Sequence, residues 1–197
     1  MEDVFVTVIL DCSGSMSSSV AGVTAGLNTL FKSMIADKNR QYHVQMVEVG
    51  IKYSENQLDQ NRICEVTDPR SLLNYKARAV GGTPLFDGIA RVFNTSSDPA
   101  GLGANAICIL ISDGSEGGSV IHTDWNEVRN YIRDKVSTGW KFAYLAIGAS
   151  AEHQAKQIEQ EVQKFGGQFM YHRASPQGQH AHFMTDVMKM IVAKRKE

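Results

Sequence analysis

Two stretches of the chain are almost wholly apolar. Val4 to Leu10 places seven apolar or β-branched residues in succession, and Ala106 to Ser112 reads AICILIS. Runs of this length that end in turn residues predict strands buried on both faces, the usual state of central parallel strands. Trp140 to Ile147, closed by Gly148, predicts a further strand. His43 to Ile51 alternates well enough for another, Gln168 to Tyr171 for a short last one, and the more polar Arg62 to Val66 for an edge strand. Between them the period changes. Val20, Val23, Leu27, Leu30, Phe31, Met34 and Ile35 recur at helical spacing behind possible caps at Ser17 to Ser19. Leu85, Ile89, Val92 and Phe93 predict a second helix to about Asn94, with Pro84 in its first turn and Thr83 as its cap. Asp124 to Val136, Glu152 to Phe165 and Gly178 to Lys194 predict three more, Ser71 to Tyr75 a helical turn, and Glu55 to Asn61 a hairpin loop. Strands alternating with helices imply an α/β fold of three layers (α/β/α), doubly wound on a mainly parallel sheet with one short antiparallel edge strand.

Composition narrows the possibilities. With 197 residues, no internal repeat and no interdomain linker, residues 1–197 read as a single domain. Twenty basic and 21 acidic residues leave a formal net charge of −1, which gives no electrostatic reason to expect nucleic acid or an anionic membrane as partner. The basic residues Lys189, Lys194, Arg195 and Lys196 read as a solvated face of the terminal helix. No stretch approaches the length of a membrane span, and MEDVF lacks the features of a signal peptide, so a cytoplasmic setting is expected. Cys12, Cys64 and Cys108, odd in number and without CxxC spacing, read as reduced thiols.

The first buried strand ends in chemistry. Asp11, Ser13 and Ser15 alternate with Cys12 and Gly14. A sharp turn after Leu10 would aim alternate side chains at one spot beyond the strand's carboxyl end, where open α/β sheets bind ligands, and would send Cys12 to the opposite side. One carboxylate and two hydroxyls are hard oxygen donors suited to Mg²⁺, which keeps several waters. A plain turn, with Asp11 capping the next helix, explains this piece alone equally well. Two other pieces extend it. Gly81-Gly82-Thr83-Pro84 permits a close backbone approach just before a helix, although a capping role accounts for Thr83. Asp113 follows the second central strand as Asp11 follows the first.

Taken together, ILDCSGSM, GGTPLFDGI and LISDGSEGGS resemble, in order and context, the metal-ion-dependent adhesion site of von Willebrand factor A domains. The resemblance covers nearly the whole chain. GLNTLF and GWKFAYLAIGAS are similar to a bacterial and phage branch of small, often stand-alone A domains. What the resemblance implies is a Mg²⁺ site, with Mn²⁺ or Ca²⁺ as possible substitutes. Ser13 and Ser15 would ligate directly, Thr83 directly in the ligand-ready state, and Asp11 and Asp113 largely through water. The remaining position would take an Asp or Glu of a partner protein, which makes the chain a binding module rather than an enzyme. Cys12 stands where related sequences often carry a basic or other polar residue, so partner preference would differ. Conformational switching of the terminal helix is also known in that family.

Two other classes compete. A Mg²⁺-dependent hydrolase or phosphoryl-transfer enzyme would use the metal as Lewis acid. The haloacid dehalogenase-like phosphatases carry DxD, where this chain has Ser13 in place of the second acid, and neither a GxxxxGK[ST] loop nor a GxSxG elbow occurs. A self-associating structural subunit of a phage or bacterial assembly would offer the same metal face to another copy. Glu116 reads as a solvated loop residue near the rim, and Asp87 as a structural charge in the first turn of its helix. His122, His172, His180 and His182 invite a transition-metal reading, but His180 and His182, two apart, do not share a helix face. They read as surface or packing residues.

Overall fold

The computed structural model describes residues 1–50, 52–54, 57–59, 62–63, 67–95, 105–114, 117, 119, 124–175, 178 and 180–193. At its centre is β1 (Glu2–Asp11), buried from Val4 onward. Its alternate side chains serve two cores. Val4, Val6, Val8 and Leu10 enter one, and Phe5 and Ile9 the other, the division a period of two imposes. Each such side chain taken fully out of water contributes about 1.5–3 kcal/mol, so a strand covered on both faces is held firmly in place.

The remaining strands are β2 (Arg40–Val49), β3 (Lys52–Ser54), β4 (Gln57–Asp59), β5 (Arg62–Ile63), β6 (Ala106–Ser112), β7 (Lys141–Ile147) and β8 (Phe169–Ala174). The main sheet has the order β5-β2-β1-β6-β7-β8, and its five long strands are all parallel. At the β2 edge Ile63 and Arg62 lie opposite Val47 and Glu48 in antiparallel register; the rest of the segment 62–66 lies outside the described residues. β3 and β4 form a separate antiparallel pair. The helices are α1 (Val20–Ala36), α2 (Leu85–Thr95), α3 (Trp125–Ser137), α4 (Ser150–Lys164) and α5 (His180–Val192). α1 and α5 cover one face of the sheet, and α2, α3 and α4 the other. Two glycines of α1, Gly22 and Gly26, make room for His180 of α5, since a Cβ at either would press on that residue.

Several boundaries differ from the sequence-based expectation, each for a local reason. β2 begins at Arg40 rather than His43, because Arg40 is held by Glu2 of the neighbouring strand and by Asp37. β8 runs three residues beyond Tyr171, since His172, Arg173 and Ala174 stay in register with Leu145, Ala146 and Ile147. Most of its side chains are only half-buried, which blurs the alternation. Gly14–Ser19 forms a 3₁₀ turn, and Ser19 precedes α1 without a side-chain capping bond. The turn expected over 71–75 is a 3₁₀ helix at Pro69–Leu72, set by the Asp68 carboxylate accepting from the Arg70 N–H at 2.7 Å. The first bond of α2 runs from Gly88 N–H to the Pro84 carbonyl at 3.0 Å. Pro84 therefore holds the cap position, and Thr83 stands one residue before the place predicted for it. Cys12 and Cys108 are buried free thiols, while Cys64 lies outside the described residues.

The topology fixes where a ligand would meet the sheet. The connection leaving β1 passes to α1 on one face, and that leaving β6 passes to α3 on the other. Adjacent parallel strands whose connections diverge open a crevice at their carboxyl ends, the topological switch point of a doubly wound sheet.

Candidate metal centre at the switch point

Asp11 is the last residue of β1 and is 1% exposed. Its strand neighbours explain its orientation: Leu10 belongs to the core under α1 and α5, so Asp11 faces the other way, and Cys12 returns to the first core. Both carboxylate oxygens are engaged. Oδ1 accepts from the Ser13 backbone N–H at 2.8 Å, and Oδ2 from the Ser112 hydroxyl at 2.7 Å. Burial pushes the Asp11 carboxyl above its ordinary value; the bonds from Ser13 and Ser112 pull it back, and the negative charge of Asp113 pushes it up again. Burial likewise pushes the Cys12 thiol up to about 12, with the Glu48 charge adding to it, so Cys12 stays a neutral packing group.

The 3₁₀ turn after Ser13 doubles the chain back on itself. It sets the Ser13 and Ser15 hydroxyls 2.9 Å apart, with Ser13 buried and Ser15 exposed. Gly81 holds the next segment beside them. Its φ of +69° is ground for glycine, and its carbonyl accepts from the Gly14 N–H at 2.9 Å. Thr83, two residues further on, is buried, and its carbonyl accepts from the Gly117 N–H at 3.2 Å. The β6 loop supplies Asp113, which is half-buried. Its carbonyl accepts from the Ser150 hydroxyl at 2.6 Å, anchoring the loop on the first residue of α4. Gly114 follows with a φ of +82°, packed so closely on α4 that a Cβ would strike the backbone of Ser150 and Ala151.

All five residues singled out from the sequence thus lie on three segments at one end of β1 and β6, and hydrogen bonds join neighbouring segments. Asp87, in the first turn of α2, is buried and bonds through its N–H to the Ser119 hydroxyl at 3.2 Å. Glu116 and His122 lie outside the described residues. Sequence reasoning missed Ser112. It is fully buried, donates to Asp11 and accepts from the Gly114 N–H at 3.0 Å, so a single hydroxyl ties the β1 and β6 loops together. A lone hydroxyl closing an apolar run was the available signal. Tyr144 of β7, whose hydroxyl donates to Gln154 Oε1 at 2.6 Å, lies buried close enough to feel the charges of Asp11 and Asp113.

No protein-family model matches the chain, and no curated protein matches it in sequence. Solved structures do share its fold. The pilus adhesin SpaC of Lactobacillus rhamnosus GG, in an open conformation, superposes with a TM-score of 0.71 at 14% identity over 97% of this chain and 30% of that one. The vWF domain of the type V pili tip protein Mfa5 of Porphyromonas gingivalis gives 0.61 at 12% identity over 100% of this chain and 98% of that one. The D319A mutant of the PilB minor pilin of Streptococcus sanguinis gives 0.60 at 11% identity, covering 97% and 61%. The fold is therefore that of a von Willebrand factor A-like domain. This chain spans about 30% of the length of the adhesin it matches. Likeness at these identities concerns the fold alone. Among the described residues no helix is long and apolar enough to cross a membrane.

Proposed function

We propose that this domain is a metal-dependent protein-binding module that holds Mg²⁺ through Ser13, Ser15, Thr83, Asp11 and Asp113 and captures an acidic residue of a partner protein. The observation that carries the reading is the pair of serine hydroxyls 2.9 Å apart at the switch point. Adjacent oxygens around an octahedral Mg²⁺, each at about 2.0–2.1 Å, are separated by about 2.8–3.0 Å. An ion replacing the shared hydrogen bond would find the two oxygens already at that spacing.

The donor set fits the same ion. Asp11 is clamped by Ser13 and Ser112, yet each carboxylate oxygen keeps a second acceptor site for a metal-bound water. Asp113 supplies a second negative charge beside it. Two carboxylates close together repel each other, and a divalent cation between them reverses that sign. When bound, Mg²⁺ would supply an incompletely neutralised positive charge and a position for an incoming carboxylate oxygen. Gly81 and Gly114, both at positive φ, lie beside Thr83 and Asp113 in the loops that flank the crevice, which supports their inclusion in the site. That solved neighbours in fold are described as a pilus adhesin and a pili tip protein favours a binding role over a catalytic one.

The experiment is a phage-displayed peptide selection on immobilised protein in Mg²⁺, with elution by EDTA. Enriched peptides should share an Asp or Glu at a fixed position, and a Ser13→Ala/Ser15→Ala protein should retain none of them. Peptides that bind equally well in EDTA, or to the double variant, would remove the metal from the mechanism.

A further inference from the structure

We propose that His172, His182 and Asp186 form a second metal site, for a divalent transition ion of the Zn²⁺ class, which fastens the first turns of α5 to the edge strand β8. Asp186 Oδ2 lies 3.4 Å from His172 Nε2 and 3.4 Å from His182 Nε2. All three ligand atoms fall within 4.8 Å of one another. For a tetrahedral ion with bonds of about 2.0–2.2 Å, the distance between ligand atoms is about 3.3–3.6 Å. Two of the three edges already have that length. The third, between the two imidazoles, is within 4.8 Å, and the His182 side chain, 68% exposed, has room to adjust.

The surroundings favour a built arrangement over a chance meeting. His182 and Asp186 are four apart and share one face of α5. Lys189 holds the other carboxylate oxygen of Asp186 at 2.7 Å, turning Oδ2 toward the imidazoles. The His172 ring stands edge-on to Phe183, with centroids 5.6 Å apart, so its orientation is fixed from below. Two borderline imidazole donors beside one hard carboxylate suit Zn²⁺, Co²⁺ or Ni²⁺, unlike the all-oxygen rim at β1 and β6. Three protein ligands leave a fourth position for water or for a group from another molecule. The site is also separate from that rim. His172 is on β8, two strand spacings from β6 and three from β1, or about 10 and 14 Å. Without an ion, the same contacts are an Asp186 carboxylate balancing Lys189 and two histidines.

The test uses untagged protein stripped with EDTA and desalted, titrated with Zn²⁺ by calorimetry and with Co²⁺ by visible absorption. The expected result is one Zn²⁺ per chain, a Co²⁺ spectrum of low-coordinate type, and slower amide exchange in the first turns of α5. Affinity should fall by about 100-fold or more in His182→Ala, whose exposed ring the fold does not need, and in Asp186→Asn. It should be unchanged in Ser13→Ala/Ser15→Ala, which separates this site from the rim. Absence of binding at millimolar Zn²⁺, or a loss smaller than about tenfold in both His182→Ala and Asp186→Asn, would overturn the assignment.

Discussion

Replacing Ser112 by alanine removes a hydroxyl that joins the two central loops of the rim. In the folded protein that oxygen donates to a buried carboxylate oxygen at 2.7 Å and accepts from the Gly114 N–H at 3.0 Å. A hydrogen bond to a charged group is worth about 1.5–3 kcal/mol, and a neutral one about 0.5–1.5 kcal/mol. Gly114 is only half-buried, so water can replace part of the second bond. Asp11, at 1% exposure, has no such recourse. The loss should therefore be about 2–3 kcal/mol, because the alanine methyl occupies only the place of the serine Cβ and leaves the carboxylate oxygen without its donor. In a chain of this size that is a fall in Tm of about 5–10 °C. Urea denaturation in EDTA measures it as a lower midpoint at unchanged slope. The double variant with Asp11→Ala completes a cycle in which Ser112→Ala should cost at least about 1.5 kcal/mol less than in the parent. A cost below about 0.5 kcal/mol in the parent, or additivity in the cycle, would refute the link between the loops.

Other perturbations probe the same framework. Gly114→Ala combines a left-handed backbone with a clash against the start of α4 and should cost about 4 kcal/mol or more, measured by the same denaturation; a change under about 1 kcal/mol would show that the loop is not seated as described. Glu48 is buried and bonded to the Tyr75 hydroxyl at 2.7 Å and to Arg78 Nε at 3.0 Å. Arg78→Ala should lose about 3 kcal/mol by stranding that carboxylate, whereas a Glu48→Leu/Arg78→Met pair should lose much less, and equal losses would contradict this. At Asp37 burial raises the carboxyl, but the Asn39 N–H, the Tyr42 hydroxyl and Arg40 outweigh it and hold the group below its ordinary 3.8. A depressed carboxyl stabilises above its unfolded value and loses that contribution as pH falls through its folded one. Asp37→Asn should therefore be less stable than wild type at pH 7 and approach it below about pH 3.8; a gap that stays constant down to pH 2 would contradict the assignment.

What the sequence revealed follows from how directly each feature is written in it. β1 and β6 are legible because a strand covered on both faces must be apolar at every position, and Asp11 and Asp113 stand out as the first charges after such runs. The loop carrying Thr83 was legible from its glycines and proline, although its helix starts later than the threonine cap suggested, because Pro84 takes that place. β8 is longer than its sequence pattern suggests, because an edge strand with half-buried faces loses its alternation. Ser112 was hidden for the opposite reason: its polar role lies inside a strand whose pattern reports only burial. The grouping of His172 with His182 and Asp186 joins a strand to a helix across the sheet edge. The spacing of His182 and Asp186 was visible along the chain, but the third member required the fold.

The central claim is that three loops meet to hold one hard divalent ion. Diffraction from crystals grown with Mn²⁺, recorded for anomalous signal, tests it most directly. The account predicts a peak bonded to the Ser13 and Ser15 hydroxyls, with Thr83 in direct contact or one water away and Asp11 and Asp113 reached through ordered waters. No peak at the β1–β6 crevice, or a peak whose coordination leaves out both serines, would contradict it.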